Sequence, residues 1–198
     1  MTLDDAAIER LVGDAQAGDA TAFGCLFDAY HLPVYRFVAS RVRRPSDAED
    51  LTQLVFVKAL EALPRYESRG IPFGGWLFRL ARNAVIDFVR TSHEHADLAQ
   101  SVDRAGTEAG PDELAVTRQE IDAVGAALSS LTDDQRDAIS LRFFAGLSAR
   151  EAAEVMGKQE GTVRGLQFRA IAALRRQLGI VEPEASSAPS RLEHPRVT

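Results

Sequence analysis

The sequence has very little of what disulfide-linked, metal-binding or membrane-spanning proteins require. It contains one cysteine, Cys25, so it cannot form an internal disulfide or a zinc site built on several cysteines. No apolar run approaches the roughly 18 residues that span a membrane. The N-terminus is acidic and lacks the basic and apolar segments of a secretion signal. We therefore expect a cytoplasmic protein without membrane insertion.

Catalytic signatures are missing as well. The sequence has no glycine-rich phosphate loop and no nucleophile motif. Its four histidines form no convincing constellation, because His93 and His95 lie in a polar segment where such a pair is usually incidental. An enzyme is the weakest interpretation, and we expect no catalytic residue, no metal and no cofactor.

Charge is unevenly distributed along the chain. The net charge of −6 at first argues against a nucleic-acid partner. Carboxylates dominate residues 1–30, whereas arginine is concentrated in residues 36–44 and 136–176. Such patches indicate either surfaces for two different partners or ordinary solvated helix faces, and charge alone favours the second.

Apolar residues recur at helical spacing almost throughout, without the alternation typical of strands. We predict an all-α fold of two small helical domains, a bundle over residues 5–92 and a second unit over residues 112–179. Residues 93–111 are polar and acidic, which is typical of a flexible linker. Residues 180–198 are rich in proline, serine and glutamate and predict a disordered tail.

Capping and breaking residues mark several helix boundaries. The capping-box pattern, with Glu or Gln three positions after Ser or Thr, begins at Ser46, Thr132 and Ser148. Pro33 predicts a kink or an early break in the helix of residues 20–43. A further helix is predicted over about residues 73–90, and Cys25 is expected in the core.

Residues 147–176 carry the strongest local signal, a helix-turn-helix. This motif needs a small residue in its first helix, a turn glycine with positive φ and an apolar residue in its second helix, and Ala153, Gly157 and Val163 stand at that spacing. The second helix would lie in the major groove of DNA. Candidate contacts are Lys158, Gln159, Glu160, Thr162, Arg164, Gln167 and Arg169. The alternative is a helical hairpin that only packs.

Two other segments belong with this motif. Residues 46–63, SDAEDLTQLVFVKALEAL, and residues 73–90, FGGWLFRLARNAVIDFVR, resemble consecutive stretches of region two of bacterial sigma factors. Residues 131–176 resemble region four of the same proteins. The order and spacing resemble the extracytoplasmic-function group of the sigma-70 family, minimal members that keep only regions two and four. The resemblance covers residues 5–178.

The resemblance implies an RNA polymerase sigma factor, which directs core polymerase to promoters and helps to melt DNA. Region two of such proteins binds the clamp helices of the largest polymerase subunit and melts the minus-ten element. Region four reads the minus-thirty-five element and contacts the flap of the second-largest subunit. An anti-sigma factor commonly holds both domains inactive, and we expect one here.

The resemblance also assigns residues to these roles. The polymerase surface is assigned to Asp47, Glu49, Asp50, Gln53 and Phe56. Contacts with the minus-ten element are assigned to Tyr66, Trp76, Arg79, Arg82, Asn83, Asp87 and Arg90. For Trp76 a place in the core is the first expectation, and Asp87 has the alternative of pairing with an arginine.

The chain departs from the family pattern in two places. Leu54 stands where an acidic residue is usual, which changes one expected polymerase contact. Leu166 stands where an arginine is usual, so the familiar upstream preference is not expected, and Arg164 and Gln167 are candidates for a different one. Leu166 and Phe168 have the alternative of being packing residues.

Two other classes of protein stay open. A helix-turn-helix regulator that binds operators without polymerase explains residues 131–178 but leaves residues 46–90 unexplained. Dependence of specific DNA binding on core polymerase separates it from a sigma factor. A sigma mimic that has lost DNA binding conflicts with the basic residues Arg79, Arg82, Arg164 and Arg169.

Overall fold

A computed structural model describes residues 4–42, 44–68, 70–98 and 127–179. Within these ranges all regular structure is helical, which confirms the all-α prediction. The α-helices are α1 (Asp5–Gln16), α2 (Ala20–Ala39), α3 (Pro45–Ala62), α4 (Phe73–Leu98), α5 (Asp133–Phe143), α6 (Ala149–Met156) and α7 (Glu160–Gln177). A single turn of 3-10 helix, Leu63–Arg65, follows α3.

Helices α1 to α4 form the first bundle. Apolar residues spaced three or four apart give α2, α3 and α4 a continuous inner face, so that Val34, Val55 and Leu77 are fully buried. Phe37 of α2 meets Phe78 of α4 edge to face, with ring centroids 5.7 Å apart. Burying each such side chain contributes about 1.5–3 kcal/mol, which makes this inner face the main support of the bundle.

Helices α6 and α7 form the predicted helix-turn-helix. Ala153 and Val163 are both buried where the helices cross, and Gly157 adopts φ 64° in the turn. The Lys158 N–H donates to the carbonyl of Ala153 at 2.9 Å, and the Gly157 N–H donates to that of Glu154 at 3.3 Å. This left-handed cap satisfies the end of α6 and turns the chain into α7.

Two of the three predicted capping boxes are confirmed. Thr132 and Ser148 each accept from a backbone N–H three positions on, and the side chain at that position accepts from their own N–H. The box at Ser46 is wrong, because α3 begins earlier, at Pro45, and Arg44 makes no side-chain cap. Proline lacks the N–H that a cap would satisfy, and its fixed φ suits the first helical position.

Three other expectations are corrected. Helix α2 continues through Pro33, so of the two predicted outcomes, a kink or an early break, the break is wrong; buried residues that follow the proline hold the last turns in place. Cys25 is exposed, and Leu26 beside it occupies the core position. Helix α4 extends to Leu98 rather than about Arg90, since no glycine or proline interrupts it. Residues 99–126 and 180–198 lie outside the described residues, and with them the rest of the linker, most of the first helix of the second unit and the tail.

Replacing Gly157 with alanine is expected to lower the free energy of unfolding by about 1–2 kcal/mol, because the left-handed conformation strains any residue with a Cβ. An added Cβ would meet nothing within 4 Å, so the cost is purely one of backbone conformation. Gly165→Ala is the matched control. It fills open space in the interior of α7 and is expected to stabilise by about 0.5–1 kcal/mol. Urea unfolding followed by circular dichroism measures both, and equal effects would contradict the prediction.

Candidate nucleic-acid and polymerase interfaces

A buried ion-pair cluster joins the two helical units. Asp137 of α5 is 2% exposed. Its Oδ1 accepts from Arg41 Nη1 at 2.6 Å, and its Oδ2 accepts from Arg82 Nε at 2.8 Å. Arg41 follows α2 and Arg82 lies on α4, so the first bundle supplies both arginines and the second unit supplies the carboxylate. We call these three residues the interdomain cluster.

Further contacts surround the interdomain cluster. The hydroxyls of Ser40 and Ser140 lie 3.0 Å apart, and Arg79 Nη2 donates to the backbone carbonyl of Glu154 at 3.0 Å. The apolar core also continues from Leu77 in α4 to Met156 in α6. Two arginines assigned to the minus-ten element, Arg79 and Arg82, are therefore occupied by the second unit in this arrangement.

The other residues assigned along α4 face solvent. Asn83, Asp87 and Arg90 are exposed, and Arg90 Nη2 lies 3.3 Å from Asp87 Oδ1. The alternative role of Asp87, pairing with an arginine, is thus present in the structure. An exposed pair of this kind contributes little to stability, so both groups can exchange partners at small cost.

Aromatic rings gather where the loop after α3 meets the start of α4. The ring of Trp76 lies 4.8 Å from that of Tyr66 and 5.4 Å from that of Phe73. Trp76 is half-buried, with one part against the core and another in the wall of a cleft of about 210 Å³. We call this the aromatic cleft; it is lined by Arg65, Tyr66, Glu67, Ile71, Trp76 and Arg79. Burial raises the pKa of Tyr66, which keeps the phenol neutral and suited to stacking on a base.

Gln16 of α1 fixes the position of this loop. Its Nε2 donates to the backbone carbonyls of Leu63, at 3.0 Å, and Tyr66, at 2.8 Å. Sequence reasoning missed Gln16, because a glutamine about fifty positions before the loop gives no local sign of the contact. A side chain of α1 therefore fixes the backbone of the loop that forms one wall of the aromatic cleft.

A second cavity, of about 250 Å³, lies between α1 and the same loop. Tyr30, Phe73 and Tyr66 line it together with Asp5 and Glu9. Burial, helped by the nearby Asp5 carboxylate, raises the pKa of Tyr30 to about 12. The carboxylates make this cavity unfavourable for a phosphate backbone, so the aromatic cleft is the better candidate for nucleic acid.

Helix α3 presents a mixed acidic and apolar surface. Glu49, Asp50 and Gln53 are exposed, as expected of a contact surface, and Asp47 is half-buried. Phe56 does not belong to it. That side chain is buried against Phe27, with ring centroids 4.7 Å apart, so its assignment to polymerase binding is corrected to a role in the core.

Apolar side chains complete the α3 surface. Leu54 is 41% and Val57 52% exposed, and Leu60 is exposed one turn further along. Hydrophobic patches rimmed by polar residues mark protein-binding sites. At Leu54 the chain therefore has, in place of the acidic residue usual in the family, an apolar side chain whose burial by a partner would be favourable.

The residues assigned to the second helix of the helix-turn-helix differ in availability. Gln159, Thr162 and Arg169 are exposed. Lys158 Nζ lies 3.0 Å from Asp134 Oδ2, and Gln167 Oε1 accepts from Arg142 Nε at 3.3 Å. Gln167 is thus turned toward α5 and cannot present both amide atoms to an adenine in this arrangement.

Glu160 and Arg164 form a pair on the exposed side of α7. Arg164 Nη2 and Nε both donate to Glu160 Oε1, at 2.5 Å and 2.9 Å. Leu166 is buried, which confirms its alternative role in packing, whereas Phe168 is exposed and its packing alternative is wrong. The pair holds the Arg164 guanidinium on the first turns of α7, the part of the second helix that meets base edges in DNA-binding helix-turn-helix proteins.

Comparison with known proteins identifies the family. Residues 26–95 match the family described as Sigma-70 region 2, and residues 127–176 match Sigma-70, region 4. The chain is 38% identical over 177 residues to the ECF RNA polymerase sigma factor BldN of Streptomyces coelicolor, covering 88% of this chain and 67% of that protein. The chain belongs to the extracytoplasmic-function (ECF) sigma factors. Another ECF sigma factor, SigD of Mycobacterium tuberculosis, is 32% identical over 184 residues, 90% of this chain and 87% of SigD.

Solved structures of related sigma factors share the fold. CnrH, in complex with the cytosolic domain of CnrY, matches with a TM-score of 0.69 at 28% identity, covering 87% of this chain and 97% of that one. The sigma factor RpoE of Bartonella quintana, in complex with the anti-sigma factor NepR, matches with a TM-score of 0.60 at 28% identity, covering 77% and 94%. Both similarities extend well beyond the helix-turn-helix.

As an ECF sigma factor, the protein directs core RNA polymerase to promoters and initiates transcription there. This membership explains residues 46–90, which an operator-binding regulator left unexplained. In the part of the chain that the structure describes, no helix is long and apolar enough to cross a bilayer, and no group of His, Cys, Asp and Glu could hold a metal ion.

Proposed function

We propose that this ECF sigma factor divides promoter recognition between three surfaces. The exposed face of α3 binds the clamp helices of the largest polymerase subunit. The aromatic cleft and the outer face of α4 hold the melted minus-ten element. Helix α7 reads the minus-thirty-five element while its domain contacts the flap of the second-largest subunit. The observation that carries the proposal is the aromatic cleft bordered by Arg79, in the same chain as an exposed recognition helix.

The aromatic cleft suits a base extruded from the duplex. Tyr66 and Trp76 offer neutral ring faces, and base–aromatic stacking is worth about 1–3 kcal/mol per base. The cleft is smaller than the roughly 300–1,000 Å³ of sites for drug-sized ligands, which fits a single base better than a larger molecule. Arg79 and Arg82 would follow the backbone phosphates next to it. Asn83, Asp87 and Arg90 would extend the contact along α4.

The closed arrangement of the two units is the resting state in this proposal. Asp137 neutralises the charge of Arg82, and the carbonyl of Glu154 takes one N–H donor of Arg79, so both arginines become fully available to phosphate only when the units separate. An anti-sigma factor that binds both units would stabilise the closed state and keep the protein inactive. CnrH and RpoE, both solved in complex with another protein, support control by a partner.

The proposed role needs no catalytic site or cofactor of the sigma factor's own, because polymerase performs the chemistry. It also places the protein in the cytoplasm, where core polymerase and the chromosome are found.

Mapping of transcription start sites tests the proposal. Purified protein is mixed with core polymerase and a pool of genomic promoter fragments, and the 5′ ends of the transcripts are sequenced. We expect defined start sites that share a two-part upstream motif and disappear without the protein. Absence of such sites, together with binding of the protein alone to duplex DNA, would instead support an operator-binding regulator.

A further inference from the structure

We propose that Phe168 is a specificity residue that contacts the C5-methyl group of a thymine in the upstream promoter element. This inference rests on the proposed role of α7 and goes beyond it, because it names a residue and a base. Sequence reasoning assigned only polar and charged residues of the helix-turn-helix to DNA, and the one role it named for Phe168 was the alternative of packing.

The position of Phe168 on α7 excludes a role in the core. Val163, Leu166 and Ala170 are buried and define the inner side of the helix. At 100° per residue, Phe168 lies on the opposite side, and its side chain is 75% exposed, more than any other large apolar side chain among the described residues. Among residues 127–179, the described part of the second unit, none covers the ring, so its burial requires a ligand.

The surroundings of Phe168 are open along the same side of the helix. Gly161 and Gly165 precede it by about two turns and one turn, and a Cβ added to either would meet nothing within 4 Å. Side chains in helices lean toward the N-terminus, so the ring covers the turn that contains Gly165. The glycines let the backbone of α7 approach the floor of a groove closely, which brings the ring within reach of base edges.

The chemistry of the major groove selects the contact. Among the base edges exposed there, thymine alone carries an apolar group, the C5-methyl, and phenylalanine is one of the side chains that contact it. A ring placed over a polar edge would instead leave a donor or acceptor without water. Arg164, held by Glu160 about one turn earlier, supplies a polar contact to a neighbouring base pair.

An exposed phenylalanine could also bind a protein partner instead of DNA. A second exposed phenylalanine of the same unit serves as the control that distinguishes these two roles. Phe143 at the end of α5 is 61% exposed, but it does not lie on the recognition helix. Both phenylalanines are exposed and belong to the same unit, but they lie on different helices. Phe143→Ala therefore controls for the loss of an exposed ring.

Uracil substitution isolates the methyl group. In a promoter obtained by start-site mapping, each thymine of the upstream element, on either strand, is replaced singly by uracil, which removes only the C5-methyl. Holoenzyme with the native chain is expected to bind one of these uracil promoters about fourfold more weakly than the thymine form. This is the affinity lost when one methyl-sized group is no longer buried on binding. Holoenzyme with Phe168→Ala is expected to bind the thymine and uracil forms equally, and Phe143→Ala is expected to keep the fourfold ratio.

Three results would overturn the inference. The first is an upstream element composed only of G·C pairs. The second is a native holoenzyme whose promoter affinity does not change with any uracil substitution. The third is a Phe168→Ala holoenzyme that keeps the native ratio between its affinities for the thymine and uracil promoters. A variant that initiates less at every promoter, with its ratio unchanged, would assign Phe168 to a protein contact instead. If the native chain supports no specific initiation at all, the proposed function fails first, and start-site mapping detects that outcome separately.

Discussion

Asp137→Ala is expected to separate the two helical units of the free protein. Removal of one partner from a buried pair costs about 3–5 kcal/mol, because the remaining charge is left without compensation. Here two guanidinium groups, those of Arg41 and Arg82, would lose their shared carboxylate. Separation of the units returns both groups to water, so the open state is the less costly outcome. Small-angle X-ray scattering should show a larger radius of gyration than that of the native protein.

Asp133 provides the matched control for this experiment. Its carboxylate also reaches Arg41, at 3.5 Å, but its side chain is 81% exposed. Exposed pairs contribute about 0–1 kcal/mol, so Asp133→Asn is expected to leave the scattering profile unchanged. Equal compactness of Asp137→Ala and the native protein would show that the apolar contact between α4 and α6 holds the units together without the ion pairs.

The Asp137→Ala variant also tests whether closure of the two units limits DNA binding. Release of Arg79 and Arg82 makes them available to phosphates, so free Asp137→Ala is expected to bind single-stranded minus-ten DNA more tightly than the native chain does. The gain should shrink as salt is raised, because the added contacts are with phosphate. Arg82→Ala in the Asp137→Ala background should remove part of it, which would show that the released arginine itself carries the contact.

Local signals were enough to predict much of this molecule. The helix-turn-helix depends on Ala153, Gly157 and Val163, all within eleven residues, and their spacing was enough to predict the turn and the two buried contact positions. The boxes at Thr132 and Ser148 span four residues each. The capping box predicted at Ser46 failed because the neighbouring Pro45 starts the helix one residue earlier, which places Ser46 inside it.

Features that join distant segments could not be predicted in this way. Asp137 and Arg82 are 55 positions apart, and neither has a neighbour that marks it as part of a buried cluster. Periodicity did not separate Phe56, which is buried, from Leu54, which is exposed, because both are apolar and nearby on α3. The family pattern likewise assigned Phe56 to the surface. Only the packing of α2 against α3 decides which of them faces a partner.

The double variant Leu54→Asp and Val57→Asp is expected to weaken binding to core polymerase strongly. Covering two partly exposed aliphatic side chains contributes about 2–3 kcal/mol, so their loss corresponds to a roughly 30- to 150-fold higher Kd. Both residues are on the surface of α3, so the fold should be retained. Titration of labelled core polymerase, without DNA, measures the affinity. Ile86→Asp on α4, at 40% exposure close to the 41% of Leu54, is the matched control and should bind normally.

The direction of the change decides what kind of surface α3 presents. Aspartate adds negative charge beside Glu49 and Asp50, so a surface that acts through charge alone would bind a basic partner more tightly after the substitution. A surface that acts through apolar burial would bind less tightly, at low and high salt alike. We expect the second result, because Leu54, Val57 and Leu60 lie along one exposed side of α3. An unchanged Kd would mean that polymerase does not cover this side of α3. Polymerase binding would then have to be assigned to residues other than Glu49, Asp50 and Gln53.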